Sequence, residues 1–281
     1  MFGTFFLNMT QKIGIQGVAG SFHHQVVIEY FGEAAPISPY DSFSALVQGL
    51  MSGAVDVVVM AIENSIAGSI IPNYALIDHN NLVVTGEHYL NINHQLLALP
   101  GETLETIQEV RSHPMALLQC AKFFQQHAHI RLVEADDTAA VAQRIAANQW
   151  KGVAAIASTT AAQRYDLTTL APSIQTIKNN ITRFVIVEKE APELNEAVNK
   201  AALMFTLDHQ RGSLATILNV MSDCQLNLTK IQSLPVIETP GKYAFFVDVT
   251  FDALEYYTKA KSILTIMAQH FKVLGEYTKK K

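Results

Sequence analysis

Residues 179–187 read Asn-Asn-Ile-Thr-Arg-Phe-Val-Ile-Val, so that a hydroxyl and a guanidinium stand side by side at the start of an apolar run. The β-branched and aromatic residues of this run predict a buried strand that the chain enters from a polar turn. An ordinary core strand with a polar entry would have the same pattern. The other motifs of the chain therefore decide whether Thr182 and Arg183 belong to a functional site.

The composition limits the classes of function. The chain has 281 residues, 49% hydrophobic and 16% charged, so two or three units with full cores are expected. The net charge of −5 argues against a nucleic-acid partner, because phosphate binding requires clustered Lys and Arg. No apolar run reaches the roughly eighteen residues of a membrane span. With two distant cysteines, Cys120 and Cys224, and no export signal, we expect a cytoplasmic protein with reduced thiols.

Alternating strand and helix patterns predict an α/β fold with mainly parallel sheets. Helices are predicted to begin at Ser21, Asp41, Asp137 and Ser158. After the linker 188–199 the predicted order is strand Ala201–Leu207, helix Gly212–Cys224, strands Leu226–Val236 and Tyr243–Phe251, helix Glu255–Gln269 and strand Phe271–Tyr277. This βαββαβ order predicts a separate ferredoxin-like domain.

Polar groups follow two of the predicted strands. Glu63-Asn64-Ser65 comes at the carboxyl end of a buried strand, where open α/β sheets bind ligands, although a plain turn with a helix cap fits equally well. Ser112-His113-Pro114 ends another strand, and Ser112 or His113 can cap the helix that Pro114 begins.

Taken in order along the chain, these motifs resemble the prephenate dehydratase family. The likeness rests on Gly20-Ser21-Phe22, Ala61-Ile62-Glu63-Asn64-Ser65 with Gly68, Ser112-His113-Pro114 with Gln119 and Cys120, and Asn180-Ile181-Thr182-Arg183-Phe184. The sequences Gly212-Ser213-Leu214 and Leu226-Asn227-Leu228-Thr229-Lys230-Ile231 resemble the regulatory ACT domain of that family. Each motif alone is weak, but the ordered set is specific.

The resemblance implies a two-lobed catalytic region, similar to a periplasmic binding protein, with prephenate in the cleft between the lobes. The catalytic domain is then expected at residues 12–190 and the ACT domain at residues 200–281. Lobe 1 would comprise residues 12–90 and 180–190, and lobe 2 residues 91–179. The chain would cross between the lobes near residues 87–91 and 178–180.

The reaction that the resemblance implies can be reasoned from its chemistry. Prephenate loses a ring carboxylate as carbon dioxide and its C4 hydroxyl as water, so the protein must position the substrate and help hydroxide leave. The hydroxyl of Thr182 can donate a hydrogen bond that strengthens as charge grows on the departing oxygen. Glu63 is the alternative proton donor if burial raises its pKa, and the sequence leaves the two open. Asn64 completes the expected catalytic set.

The remaining predicted site residues bind the substrate. They are Ser21, Ser65, Ser112, His113, Gln119, Arg183 and Phe184. Uncharged groups suit the ring carboxylate, because a strong cation there would stabilise the ground state and oppose decarboxylation. Arg183 suits the pyruvyl carboxylate, which survives the reaction. Alternatively, Arg183 forms an ion pair that braces the lobes. Neighbours on a regular strand point to opposite faces, so Thr182 and Arg183 both reach the cleft only if the strand starts irregularly.

His113 has a suitable pKa for acid–base catalysis, although a lone His at this position is commonly a helix cap. The histidines do not form a metal set with Cys or acidic residues at finger-like spacing, so no metal is predicted. The reaction requires no redox or carrier cofactor, and none is predicted.

Phenylalanine is the effector that the resemblance implies. The residues assigned to its site are Gly212, Ser213, Leu214, Asn227 and Leu228. The chain departs from the family at Gln232 and Leu234, which replace the usual Glu and Arg and remove any ion pair between them. ACT strands pair through exposed edges, so a homodimer or homotetramer is expected.

Three functions stay open from the sequence. The first is prephenate dehydratase. The second is arogenate dehydratase, whose substrate carries an ammonium that favours a nearby carboxylate such as Glu63. The third is a two-lobed amino-acid sensor with an ACT module that binds without turnover, and the triplet Thr182-Arg183-Phe184 argues against it.

Overall fold

The computed structural model describes residues 11–208, 210–236, 239 and 242–279. The chain divides into two compact units. One contains the residues up to Gly68 together with His88–Phe184, and the other contains Ser69–Glu87 and the residues from Val185 onward. No helix within these described ranges has the length and apolar character that crossing a membrane requires.

Strands and helices alternate along most of the chain. Up to Asn91 the elements are β1 (Ile13–Gln16), α1 (Phe22–Phe31), β2 (Ile37–Tyr40), α2 (Phe43–Met51), β3 (Val57–Asn64), β4 (Gly68–Ser69), α3 (Ile71–His79) and β5 (Val83–Asn91). From there to Glu188 they are β6 (Gln95–Ala98), β7 (Glu109–Ser112), α4 (Pro114–Gln119), α5 (Ala121–Phe124), β8 (Arg131–Glu134), α6 (Thr138–Asn148), β9 (Val153–Ala157), α7 (Thr159–Arg164), β10 (Thr168–Ala171) and β11 (Ile181–Glu188). The last part contains β12 (Lys200–Thr206), α8 (Ser213–Asp223), β13 (Asn227–Pro235), β14 (Tyr243–Thr250), α9 (Leu254–Met267) and β15 (Gln269–Tyr277).

The strands before Glu188 form two sheets. In the first sheet the order is β2-β1-β3-β11-β5, with β4 paired to β3, and β1 runs parallel to both of its neighbours. In the second sheet the order is β10-β6-β9-β7-β8. Strand β7 runs parallel to β8 and β9, whereas β6 is antiparallel to β9 and β10.

The chain crosses between these two sheets twice. It leaves the first sheet after β5, builds the whole second sheet, and returns to the first sheet in β11. The two crossover segments are therefore residues 92–94 and 172–180. The predicted α/β class and the two-lobed topology are confirmed, and the first crossover comes slightly later than predicted because β5 continues to Asn91.

The C-terminal strands form a four-stranded antiparallel sheet in the order β13-β14-β12-β15. Together with α8 and α9 this gives the predicted βαββαβ order. The core beneath the sheet includes Leu203, Phe205 and Val247 from the strands with Ile217 and Leu264 from the helices, all buried. The ferredoxin-like architecture is confirmed.

Side-chain caps explain where several helices begin. Ser21, Asp137 and Ser158 each accept a hydrogen bond from the backbone N–H three residues ahead, as predicted. The predicted cap of α2 is wrong by one position. Ser42, and not Asp41, caps this helix, because Oγ of Ser42 accepts from the backbone N–H of Ala45 at 3.1 Å.

Candidate active site

Thr182 is the second residue of β11, and only 7% of its surface is exposed. Its Oγ1 accepts a hydrogen bond from Nδ2 of Asn64 at 2.9 Å. Within the described part of the chain, the Thr182 hydroxyl donates to no protein acceptor. Its proton is therefore available to an oxygen atom of a bound molecule.

Asn64 is the last residue of β3, and the turn that follows fixes the direction of its amide. Its Oδ1 accepts from the backbone N–H groups of Ile66 and Ala67 at 2.9 and 2.8 Å. Backbone N–H groups can only donate, so the amide oxygen must face them. The amino group must then face Thr182, and it also donates to Oδ1 of Asn180 at 2.7 Å.

Two further side chains extend this arrangement. Nδ2 of Asn180, which is fully buried, donates to Oε1 of Gln119 at 2.9 Å. The same oxygen lies 2.9 Å from Nε2 of His94. We refer to the side chains of Thr182, Asn64, Asn180, Gln119 and His94 as the amide network.

The amide network lies where the two crossover segments meet. His94 ends the first segment and Asn180 ends the second. The backbone N–H of Ile174 donates to the carbonyl of His94 at 2.9 Å, and the N–H of Thr176 donates to that of Gln119 at 2.8 Å. The chain thus brings the network together at the passage between the first and second sheets.

The chemistry available to the amide network is that of neutral groups. It contains one hydroxyl, three amides and one imidazole, and burial lowers the pKa of His94, which favours the uncharged ring. No three His, Cys, Asp or Glu side chains in the described ranges lie close enough together to hold a metal ion. The network can donate and accept hydrogen bonds without placing a fixed charge beside a ligand.

Ser65 joins the start of β11 to the end of β3. Its backbone N–H donates to the carbonyl of Ile181 at 2.8 Å, and its Oγ accepts from the N–H of Ile181 at 2.9 Å. The side chain is exposed. Ser65 therefore aligns the strand that carries Thr182, next to Asn64.

Three of the predicted substrate-binding residues have local structural roles. Ser21 caps α1 through its hydroxyl. Ser112 is fully buried, and its hydroxyl donates to the carbonyl of Ile156 at 2.8 Å, which leaves it no access to a substrate. The expectation that His113 caps α4 is confirmed, because its Nδ1 accepts from the N–H of Met115 at 3.2 Å.

Glu63 and Arg183 lie on the other face of the first sheet. Strand β3 continues through Asn64, and β11 begins at Ile181, so that Thr182 and Arg183 both lie inside it. Side chains alternate along a strand, so Glu63 points away from the face of Asn64, and Arg183 away from the face of Thr182. Arg183 is buried, with 5% of its surface exposed.

Phe184 shares the face of Thr182 but packs into the protein. It is 1% exposed, and its ring meets that of His23 edge-on at 5.0 Å between centroids. Burial lowers the pKa of His23 to about 4, so its ring is neutral near pH 7. Phe184 therefore supports α1 beneath the site and is covered from solvent.

The predicted effector residues fall into two groups in the C-terminal sheet. Gly212 has a φ of 87° just before α8, and Ser213 and Leu214 line a pocket of about 190 Å³. The other lining residues are Leu207, Asp208, Gln210, Tyr243 and Phe245. The pocket thus joins the start of α8 to the start of β14.

Asn227 and Leu228 lie at the opposite end of this sheet. Asn227 pairs with Thr250 at the end of β14, whereas Tyr243, which lines the pocket, starts β14 and pairs with Pro235. Within one chain, Asn227 and Leu228 therefore cannot line the pocket that Ser213 and Leu214 share.

Comparison with known protein families identifies the chain. The sequence model of the prephenate dehydratase family matches residues 13–192, which is well over half of the chain. The chain belongs to the prephenate dehydratase family. This is the family of carbon–oxygen hydro-lyases that the motifs resemble, and the match contains every member of the amide network.

Similar proteins extend over almost the whole chain. The chloroplastic arogenate dehydratase/prephenate dehydratase 1 of Arabidopsis thaliana is 33% identical over 285 residues, which cover 95% of this chain and 71% of the relative. The solved structure of GqqA, a quorum-quenching acylase, has a TM-score of 0.86 at 24% identity and covers 96% of this chain and 98% of its own. A prephenate dehydratase of Arthrobacter aurescens in complex with L-Phe has a TM-score of 0.84 at 24% identity, with 95% and 90% covered. These two structures support the shared fold, with its ACT-like C-terminal sheet.

Sequence reasoning missed two members of the amide network. Asn180 is part of the family motif but was given no role, and His94 was not singled out. Both residues lie in short polar segments next to strands. This position is the only sequence signal that could have marked them as candidate site residues. Their contacts with Gln119 depend on the crossovers, which bring together residues that are 25 and 61 positions apart.

Proposed function

We propose that this member of the family converts prephenate to phenylpyruvate, carbon dioxide and water. The observation that carries the proposal is the direction of the hydrogen bond between Asn64 and Thr182. Because Asn64 donates, the proton of the Thr182 hydroxyl is available for the C4 oxygen of the substrate. Such a donor is what the departure of hydroxide requires.

The reaction consumes one proton. The electron pair of the bond between the ring and its carboxylate moves into the ring as carbon dioxide leaves. The bond between C4 and its hydroxyl breaks with its electron pair on oxygen, which takes up the proton and leaves as water. The ring becomes aromatic, so the protein has to supply orientation and a proton donor.

Thr182 acts at the leaving oxygen in this proposal, and its hydroxyl regains a proton from solvent water after each turnover. Its hydrogen bond strengthens as negative charge develops there. Any charge that builds up on Oγ1 of Thr182 is stabilised by the amino group of Asn64 at 2.9 Å, which makes the hydroxyl a better proton donor. The alternation of β3, which directs Glu63 to the opposite face, supports Thr182 rather than Glu63 in this role.

Gln119 contributes a second donor. Its Oε1 is held by Asn180 and His94, and its amino group has no partner in the described part of the chain. We assign this amino group to the substrate. A neutral donor can orient the ring carboxylate without the strong ground-state attraction that a cation would exert. The same alternation argues against Arg183 as the partner of the pyruvyl carboxylate.

Arogenate is the second candidate substrate. The relative from Arabidopsis thaliana, 33% identical, is named for both arogenate and prephenate dehydratase activity. The elimination is the same for both substrates, because they differ only in the side chain that survives it. The neutral amide network suits either ring.

Phenylalanine is the proposed effector, bound by the C-terminal domain. The 190 Å³ pocket supports this, since Tyr243 and Phe245 offer aromatic walls and the start of α8 can take a carboxylate. The solved relative from Arthrobacter aurescens is a complex with L-Phe. Leu234 pairs with Ala244, next to Tyr243, so the departure from the family motif lies close to this pocket. The division into a catalytic domain at 12–190 and an ACT domain at 200–281, and assembly as a homodimer or homotetramer, belong to the same proposal.

One experiment tests these assignments together. The purified protein is incubated separately with prephenate and with arogenate, and phenylpyruvate and phenylalanine are followed as the respective products. The incubations are then repeated with added phenylalanine. We expect turnover of prephenate, with a rate that changes when phenylalanine is present.

The outcomes separate the three functions. Turnover of arogenate alone would replace the proposed substrate by the second candidate. Turnover of neither, with phenylalanine still bound in calorimetry, would favour the non-catalytic sensor. An unchanged rate in saturating phenylalanine would remove the effector proposal and leave the catalytic one.

A further inference from the structure

His94 ends the amide network, and the direction of the network is fixed from its other end. Oδ1 of Asn64 faces the N–H groups of Ile66 and Ala67, which can only donate. The amino group of Asn64 must then face Oδ1 of Asn180, 2.7 Å away. The turn after β3 thus decides which way Asn180 is oriented.

The same rule continues to His94. With its oxygen on Asn64, Asn180 presents its amino group to Oε1 of Gln119 at 2.9 Å. An amide oxygen cannot donate a hydrogen bond. His94 approaches the same oxygen at 2.9 Å through Nε2, so Nε2 must carry a proton.

The surroundings of His94 favour one protonation state. The residue is 3% exposed, and its ring contacts that of Phe22 edge-on at 5.6 Å between centroids. Its Nδ1 is buried and has no hydrogen-bond partner among the described residues. A proton on Nδ1 would be a buried donor without an acceptor, so the neutral ring with its proton on Nε2 is favoured.

We propose that His94 is a positioning residue, which holds the amide of Gln119 with its oxygen inward and its amino group toward the substrate. The inference rests on the function proposed above. His94 acts through Gln119, which in turn accepts from Asn180 and so supports the orientation of Asn64 and Thr182. Without the Nε2 proton, Oε1 of Gln119 keeps only the hydrogen bond from Asn180. The amide then rotates more readily by half a turn, which would present its oxygen to the substrate and repel a carboxylate.

Matched substitutions test this role. His94→Gln keeps an N–H donor near the position of Nε2, whereas His94→Leu removes the donor and leaves an apolar side chain. We expect kcat with the preferred substrate to fall about tenfold in His94→Leu, the effect of one lost hydrogen bond, and to stay within about threefold of wild type in His94→Gln. In a Gln119→Leu background, His94→Leu should have no further effect.

Several kinetic results would overturn the proposal. These are an equal loss of kcat in both His94 variants, a wild-type rate in His94→Leu, and full additivity of His94→Leu with Gln119→Leu. Thermal unfolding of each variant shows whether it is folded. If His94→Leu does not fold, a second measurement tests the proposal. It requires only the variant His94→Gln at this position.

That measurement is nitrogen-15 NMR of the imidazole groups, with the signals of His94 assigned by their loss in His94→Gln. We expect the neutral tautomer with its proton on Nε2 in the wild type, and a mixture of tautomers in Gln119→Leu. A charged ring near pH 7, or a proton on Nδ1, would overturn the proposal. If NMR shows the expected tautomer but the protein turns over neither prephenate nor arogenate, the proposed function is wrong. The hydrogen bond from Nε2 of His94 to Gln119 would still be correct.

Discussion

Replacing Asn64 with Asp reverses the hydrogen bond on which the proposed chemistry depends, while it keeps the size of the side chain. One carboxylate oxygen still accepts from the N–H groups of Ile66 and Ala67. The other takes the place of Nδ2, 2.9 Å from Oγ1 of Thr182, and an ionised carboxylate can only accept. Thr182 must then donate its proton to Asp at position 64 instead of to the substrate.

The geometry sets the size of the effect. Loss of one donor aimed at developing charge costs about 3–4 kcal/mol in the transition state, so kcat should fall about 100- to 1,000-fold. The new oxygen also faces Oδ1 of Asn180, to which Nδ2 of Asn64 donates at 2.7 Å in the wild type. Because Asn180 is fully buried, the two facing acceptors should lower the free energy of unfolding by about 1–3 kcal/mol.

Steady-state kinetics with prephenate and urea unfolding separate these two effects. Asn148→Asp is the matched control, since Asn148 is exposed and its amide donates to the Arg144 carbonyl of its own helix. The control should keep the wild-type kcat and stability. If folded Asn64→Asp has a kcat within about threefold of wild type, the direction of this hydrogen bond is not what supports catalysis.

Three further predictions concern stability and regulation. Burial lowers the pKa of His23 from 6.5 to about 4. Between these pH values the imidazole of His23 is protonated in the unfolded chain and neutral in the folded protein. The free energy of unfolding should therefore fall by up to about 3 kcal/mol as the pH drops from 6.5 to about 4. Urea unfolding should show a shallower pH dependence in His23→Phe, and parallel curves would contradict the buried neutral ring. Lys200→Met removes a buried cation whose Nζ lies 2.7 Å from Oε2 of Glu87 in the wild type, and should lower the free energy of unfolding by about 3 kcal/mol. The double variant that also carries Glu87→Gln should recover part of this loss. Leu214→Asp places a second carboxylate beside Asp208 in the 190 Å³ pocket of the C-terminal domain. Calorimetry should show that phenylalanine binds at least about tenfold more weakly to this variant. Unchanged binding would show that the effector does not bind in this pocket.

Local patterns in the sequence were sufficient for most of the fold. Apolar runs and turn residues predicted the strands, and Asp137 and Ser158 were identified as caps because their side chains act on their own backbone. The cap of α2 was assigned to Asp41 instead of Ser42 since both residue types cap equally well and they are neighbours. Local preference cannot decide a boundary of one residue.

The site was only partly predictable, because its contacts are made across the crossovers. Thr182 and Asn64 are recognisable in the sequence as polar residues beside strand ends, and Gln119 only through its place in the family motif. Their connection through Asn180 and His94 joins positions that are far apart in sequence, and no local pattern encodes it. Neighbouring side chains on a strand point to opposite faces, which argues against Arg183 and Thr182 binding the substrate from the same face. The sequence alone does not say where the strand begins, and the structure places its start at Ile181.

The most direct test is to compare Thr182→Val with Thr182→Ser in steady-state kinetics on the substrate that the wild type prefers. Val removes the hydroxyl at nearly constant size, whereas Ser retains it beside Nδ2 of Asn64. We expect kcat to fall about 100- to 1,000-fold in Thr182→Val with KM changed little, and to remain within about tenfold of wild type in Thr182→Ser. A Thr182→Val protein with wild-type kcat would contradict a Thr182 hydroxyl that protonates the leaving oxygen.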